Sequence, residues 1–275
     1  MQSSRVRQAD PATAAPVGTL LREWRAARRA SQLDLALSAG ISTRHLSCIE
    51  TGKAQPGREL LARLADALEM PLRERNALLL AAGYAPAYPE SALHALSLAR
   101  IDQAIDAILA QQEPYPAFLI NRHWDVLREN GAAARVNRAV LGSDSAHRNI
   151  MRQFFDPAAL RRAIVNWEEV AGELVHHLHD RVAAAPTDDS ARALLDEMLA
   201  YPGVPARWRL RDLSRAPSPL LTTQLRCGDG MLRFFSTITT FAMPRDVTLD
   251  ELHIECCFPV DEDTAAHCRA LARAA

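Results

Sequence analysis

Thr43, Arg44, Ser47 and Cys48 are the residues of this chain whose types and spacing most invite a chemical reading. Their spacing puts them on one side of an α-helix, while Leu46 and Ile49, three apart, fall on the other. One side therefore offers a guanidinium, two hydroxyls and a thiol, and the other is aliphatic. Such a rod suits recognition by hydrogen bonding along an exposed face, with its apolar side anchored beneath. The charge distribution agrees with a polyanionic partner. Residues 1–83 carry 12 Lys+Arg against 8 Asp+Glu, a net of +4, whereas residues 84–275 carry 20 against 25, a net of -5. The basic excess thus gathers in the part that holds this helix, as phosphate attraction requires.

The elements that must hold this face are helical. Residues 17–30 predict a first helix with Leu20, Leu21 and Trp24 inward and Arg22, Glu23 and Arg29 toward water. Ser31 suits the N-cap of a second helix, whose inner face is Leu35, Ala36 and Ala39. Gly40 ends it because a left-handed backbone costs glycine little, Ile41 plugs the turn, and Ser42 caps the third helix. Gly52 closes that helix. Two short helices joined by a glycine turn, the second with its polar side outward, have the layout of a helix-turn-helix that reads DNA. A fourth helix over 58–69 carries Leu60, Leu64 and Leu68 at helical spacing, and a fifth runs from Pro71 to about residue 82. Residues 1–16 lack periodicity and are expected to form a flexible tail.

Ser31-Gln32-x-x-Leu35-Ala36, the turn Gly40, and Ile49-Glu50-x-Gly52-Lys53 together resemble the lambda-repressor/Cro-type helix-turn-helix domain of the XRE family. The resemblance covers residues 17–83 and implies five helices, the third entering the major groove. It implies base contacts from Thr43, Arg44, Ser47 and Cys48. Arg44 leads, since a guanidinium can bond guanine O6 and N7 together, and Cys48 could touch a thymine methyl. It also implies phosphate contacts from Gln32, Ser42, Thr51 and Lys53, which set register rather than sequence. Arg25 and Glu50 match an ion pair that ties the first helix to the third in that family.

After a two-proline connector over 84–90, residues 91–111 predict a helix with Leu98, Ile101, Ile105 and Ile108 in a stripe. A short strand (117–120), a turn at Asn121-Arg122-His123 and a returning strand (124–129) follow. Helices are then expected over 132–141, 149–155, 157–165, 167–184, 190–201 and 205–213. Strands over 220–225 and 231–241 flank a Cys227-Gly228-Asp229-Gly230 hairpin, and a last strand (252–258) precedes a last helix (264–274). The plan is α+β, an antiparallel sheet interrupted by a helical insertion. Ile120-Asn121-Arg122-His123-Trp124-Asp125-Val126-Leu127 and Asn166-Trp167-Glu168-Glu169-Val170 resemble the PAS-like ligand-binding domain of MmyB-type regulators. The resemblance implies a PAS-like domain over 91–275 and a small apolar ligand, with fatty-acid-like molecules leading. Candidate pocket residues are Phe118 and Trp124 near the first strands, Phe154, Phe155 and Trp167 in the insertion, and Trp208, Phe235 and Phe241 beyond it. Phe235, Thr237, Thr239 and Phe241 share one strand face. Each of these aromatics can equally serve as core.

Other clusters point away from catalysis. His176 and His179 could share a metal at i, i+3, but no Glu lies between them as in a zinc protease, so a solvated helix face is expected and no metal site. Adjacent Glu168 and Glu169 diverge and make no acid/base pair. The five cysteines, Cys48, Cys227, Cys256, Cys257 and Cys268, contain no Cys-x-x-Cys, which fits reduced thiols. Vicinal Cys256 and Cys257 read as small apolar residues of a buried strand. No membrane span or signal peptide is visible, so a cytoplasmic protein is expected. The expectation is a non-enzymatic transcription regulator, a homodimer on a pseudo-palindromic operator, with no cofactor beyond a bound fatty acid or similar apolar ligand. The alternative is a helix-turn-helix regulator whose second domain only dimerises.

Overall fold

The computed structural model describes residues 17–93, 95, 98–210 and 220–274, so the expected tail over 1–16 lies outside the described residues. The chain divides between Pro89 and Glu90 into two compact units. The first holds α1 (Val17–Ala27), α2 (Gln32–Ser38), α3 (Thr43–Glu50), α4 (Arg58–Ala67) and α5 (Leu72–Ala81). Ser31 and Asp34 cap α2 reciprocally, each side chain bonded to the other's backbone N–H. Ser42 caps α3, its hydroxyl accepting from the N–H of His45 at 3.2 Å. Gly40 adopts φ +67°, which lets the chain leave α2 and start α3 without a Cβ clash. α1 stops short of residue 30 because Arg29 turns left-handed (φ +53°) and the N–H of Ala30 bonds back to the Arg25 carbonyl at 3.0 Å. Leu21, Trp24, Leu46, Ile49, Leu61 and Leu64 are buried in its core.

The second unit begins with α6 (Ala99–Gln111), β1 (Ala117–Ile120) and β2 (Val126–Glu129). Four helices follow: α7 (Gly131–Leu141), α8 (Ile150–Phe155), α9 (Trp167–Ala184) and α10 (Asp189–Ala200). Then come β3 (Thr222–Cys227), β4 (Gly230–Thr239), α11 (Val247–Asp250), β5 (His253–Pro259) and α12 (Glu262–Ala274). The strands form one antiparallel sheet in the order β2-β1-β5-β4-β3, with α7 to α10 inserted between β2 and β3. Side-chain alternation gives the sheet two different faces. Ala117, Leu119, Ile254 and Cys256 pack with Ile105 and Leu109 of α6. Phe118 and Ile120 pack the other way, into the cluster built by α8, α9 and α10.

Several expected boundaries move, each for a local reason. α6 starts at Ala99 rather than near residue 91. There the N–H of Ser91 bonds the Asp246 carboxylate at 3.2 Å and its carbonyl accepts from the Thr248 hydroxyl at 2.7 Å. Residues 94, 96 and 97 lie outside the described residues. The expected helix over 157–165 reduces to a 3₁₀ turn, Leu160–Ala163. Beyond it Ile164 bridges to Leu225, and the N–H of Val165 bonds the Gln224 carbonyl at 2.8 Å, so the sheet captures this end of the segment. The helix over 205–213 is a 3₁₀ turn at Ala206–Arg209, and 211–213 lie outside the described residues. β2 begins at Val126, not Trp124, because residues 121–124 form a side-chain-closed turn described below. Among the described residues, no helix is long and apolar enough to cross a membrane.

Candidate nucleic-acid interface and candidate ligand cavity

α3 carries Leu46 and Ile49 fully buried beneath it, while Arg44 is exposed and Thr43, Ser47 and Cys48 are partly so. The helix is fastened from behind. Arg25 Nε donates to Glu50 Oε1 at 2.8 Å and its Nη2 to Oε2 at 3.1 Å, a bidentate pair between α1 and the last residue of α3. Gln32 Nε2 donates to Glu50 Oε2 at 2.7 Å, which brings α2 into the same knot. Burial alone would raise Glu50. Hydrogen bonds from Arg25 and Gln32, with the Arg25 charge, outweigh it and hold the carboxyl below its ordinary range. Gly18 completes the fit: a Cβ there would come within 2.5 Å of the Glu50 carbonyl oxygen and 2.7 Å of that of Ile49. No local sequence signal marks that contact.

The four expected phosphate partners are differently disposed. Lys53 is exposed, and Ser42, also exposed, caps α3 with its oxygen, so its hydroxyl proton remains to donate. Gln32 uses one amide N–H on Glu50 and keeps a second. The Thr51 hydroxyl instead donates backward, to the Ser47 carbonyl at 2.7 Å, and closes the end of α3.

The second unit holds a partly open cavity of about 400 Å³ between the sheet and the inserted helices. This lies within the roughly 300–1,000 Å³ of small-molecule sites. α9 lines it with Val170, Glu173, Leu174 and His177, at the i, i+3, i+4, i+7 spacing of one helix face. α7 adds Val136 and Asn137, and α8 adds Ile150, Gln153 and Phe154. The floor is the inner sheet face: Phe118, Leu225, Phe234, Ser236, Glu255 and Cys257. Trp124 reaches the wall through a turn that places it at φ +62°. A left-handed tryptophan is strained by about 1–2 kcal/mol. Asn121 holds it there, its side-chain oxygen accepting from the N–H groups of His123 and Asp125 at 2.9 and 3.0 Å. Asn149 donates to the His123 carbonyl at 2.8 Å and locks the far side. The Asn121-Arg122-His123-Trp124 signature is therefore turn architecture that aims an indole.

Of the eight expected pocket aromatics, Phe118, Trp124 and Phe154 line the cavity. The others pack elsewhere. Phe155 is fully buried in the core of α8, α9 and α10, because neighbours on a helix point about 100° apart. Trp167 and Trp208 stand 5.8 Å apart in that cluster, and Trp167 Nε1 donates to the Phe154 carbonyl at 2.7 Å. Phe235 and Phe241 do share a sheet face, but it is the outer one. Phe235 stacks on Phe258 at 5.5 Å, and Phe241 packs against the α6 cluster. Phe234 takes the inner position.

Sequence reasoning passed over the polar lining. Glu255 and Cys257 were legible in the alternation of β5, where His253, Glu255 and Cys257 oppose Ile254, Cys256 and Phe258. On α9 His177 is exposed and meets Trp124 edge-on at 5.6 Å, while the half-buried His176 lies 3.7 Å from the Asp180 carboxylate and the half-buried His179 donates from Nε2 to the Trp208 carbonyl at 2.8 Å. Among the described residues no cluster of His, Cys, Asp or Glu is arranged to hold a metal.

A helix with its hydrogen-bonding side outward in one unit, and a largely apolar cavity in the other, fit a transcription regulator with separate DNA-binding and ligand-binding domains. Residues 16–78 match a helix-turn-helix domain family, and residues 101–271, more than half of the chain, match the MmyB-like transcription regulator ligand binding domain. The chain belongs to the MmyB-like transcription regulators. A comparison with curated proteins gave no match.

Proposed function

We propose that this regulator binds a two-fold symmetric operator as a homodimer in the cytoplasm, and that an elongated, fatty-acid-like apolar ligand in the second unit adjusts its hold on DNA. Thr43, Arg44, Ser47 and Cys48 read bases, with Arg44 bonding a guanine. Lys53, Ser42, Gln32 and Thr51 meet phosphates, Thr51 only after its hydroxyl turns outward. The observation that carries the reading is the division of α3 into an exposed Arg44 side and a fully buried Leu46–Ile49 side. The largely apolar cavity supports the ligand, with Phe118, Trp124 and Phe154 as its aromatic walls. A ligand shifts DNA affinity only if it binds the two dimer arrangements unequally.

Selection of DNA fragments by the full chain, followed by gel shifts at fixed salt, tests the first half. Arg44→Ala is expected to stay folded and to lose about 1–3 kcal/mol of discrimination at one base position. Equal operator affinity for mutant and wild type would remove α3 from the interface. Mass spectrometry of extracts from purified protein tests the second half: a stoichiometric apolar molecule is expected, and none, with no thermal shift by added acyl chains, overturns it.

A further inference from the structure

We propose that Asn137 anchors the polar end of the ligand, and that this end is a carboxyl or carboxamide whose oxygen accepts a hydrogen bond from the Asn137 amide. The inference rests on the ligand-binding reading above and specifies where the head of that ligand is held. Asn137 sits on α7 one turn beyond Ala133, and both line the cavity. It is only 9% exposed, and its side chain makes no hydrogen bond among the described residues. A primary amide brings two N–H donors and a carbonyl acceptor, and burying them unmet is costly. Elsewhere the fold meets that demand. Asn130, similarly buried at the N-cap of the same helix, accepts from the N–H groups of Ala117 and Ala133 at 3.1 and 3.0 Å. Its amide donates to the carbonyls of Leu109 and Tyr115 at 3.2 and 2.8 Å. Gln153, which faces the cavity from α8, donates to the His147 carbonyl at 2.9 Å. The space that Asn137 meets is the cavity itself.

The unmet group is planar, with donor and acceptor side by side. A protonated carboxyl or a primary carboxamide presents the matching acceptor and donor and can close two hydrogen bonds with it. An ionised carboxylate still accepts the N–H. The other polar groups of the lining are less open to such a head. The Ser236 hydroxyl serves Glu255, and Glu173 has a partner of its own. Trp124, also buried, keeps its indole N–H without a partner, but it offers a donor and no acceptor. Val136 beside Asn137, with Phe154, Leu160 and Leu225, gives an alkyl chain apolar surface to follow.

The test uses the full-length protein, freed of bound lipid, with alkanoic acids, primary alkanamides and 1-chloroalkanes of matched length, from octyl to dodecyl, below their aggregation limits. Binding is read by calorimetry and thermal shift at neutral pH. Acid and amide are expected to bind wild type more tightly than the chloroalkane, and the tighter of the two identifies the head. Asn137→Leu keeps the size and removes the hydrogen bonding. It is expected to weaken the acid and the amide about tenfold, the worth of about one hydrogen bond, and to leave the chloroalkane at least as tight. It is also expected to raise the melting temperature of the ligand-free protein, because an unmet amide is removed. A lowered melting temperature would mean that the amide is already paired within the fold and overturns the inference. Equal losses in all three series would mean that the cavity was merely reshaped, and unchanged acid and amide binding would put the head elsewhere. Either result overturns the role of Asn137 and leaves ligand binding standing. If none of the three series binds the wild-type chain, ligand binding itself falls and the inference with it. Should Asn137→Leu fail to fold, Asn137→Ala takes its place, with the same expected loss of acid and amide relative to chloroalkane.

Discussion

Glu50 in the first unit and Glu255 in the second are both carboxylates enclosed by the fold, and they are held in opposite ways. Glu50 takes two hydrogen bonds from Arg25 and one from Gln32, and its carboxyl is held below the ordinary range. Glu255 has one hydroxyl donor and no cation among the described residues, and its carboxyl is pushed up. Asp188 in the second unit follows the Glu50 pattern. It receives His123 Nε2 at 3.1 Å and the N–H of Ala191 at 3.0 Å, with Arg122 Nε at 3.7 Å. It thereby ties the Trp124 turn to the start of α10. The compensated carboxylates fasten one element to another behind a working surface. The uncompensated one faces the cavity, and that difference separates scaffold from site more sharply than burial does.

The comparison predicts the largest loss at Glu50. Glu50→Ala leaves Arg25 partly buried without its partner, and a cost of about 3–5 kcal/mol is expected, read by chemical denaturation. The loss should shrink in the Arg25→Ala background, where no charge is stranded. A cost near zero in both backgrounds would break the comparison at its strong end. Asp188 comes next. Burial alone would raise it, but the His123 and Ala191 hydrogen bonds and the Arg122 charge bring it down to about 2. A carboxyl depressed by folding stabilises fully above its unfolded value, near 3.9, and loses that contribution as pH falls through its folded value. The second unit should therefore lose on the order of 2 kcal/mol between about pH 4 and pH 2. Asp188→Asn should flatten that stretch of the stability–pH curve.

Gly18 marks where reading the chain stops and solving the fold begins. Gly18→Ala is expected to cost about 1–3 kcal/mol, because its Cβ meets backbone oxygens of α3 that cannot swing away. A thermal melt of the full chain, following the first transition to change, measures it. Nothing near Gly18 announces this, since the requirement is set by a helix later in the chain. Ser31, Gly40 and Ser42 were legible because caps and turns are settled by neighbours within a few residues. The antiparallel sheet and its helical insertion were legible for the same reason, from strand alternation and turn residues. Strand alternation is also local, so Phe235 and Phe241 could be grouped correctly. Which side of the sheet they face is tertiary, because apolar clusters cover parts of both faces. That ambiguity moved two expected pocket residues to the outer face and left Glu255 and Cys257 out of the expected lining.

The smallest effect is the most discriminating, because its sign is reversed. A carboxyl raised by folding stabilises below its unfolded value and loses that contribution as pH rises through its folded value. Wild-type stability in the second unit should therefore decline on the alkaline side of the ordinary Glu range, where Glu255 must ionise between Phe118 and Ile238. Glu173 and His177 from α9 and Cys257 from β5 share that space and supply no fixed positive charge to relieve it. Glu255→Gln removes the ionisation while keeping the shape and the bond to Ser236. It is expected to raise stability by about 1 kcal/mol at neutral pH and to leave the acid side unchanged. The measurement is urea denaturation of ligand-free protein across pH. A mutant that is weaker than wild type at neutral pH would mean that Glu255 is already compensated within the fold, and the contrast with Glu50 would vanish.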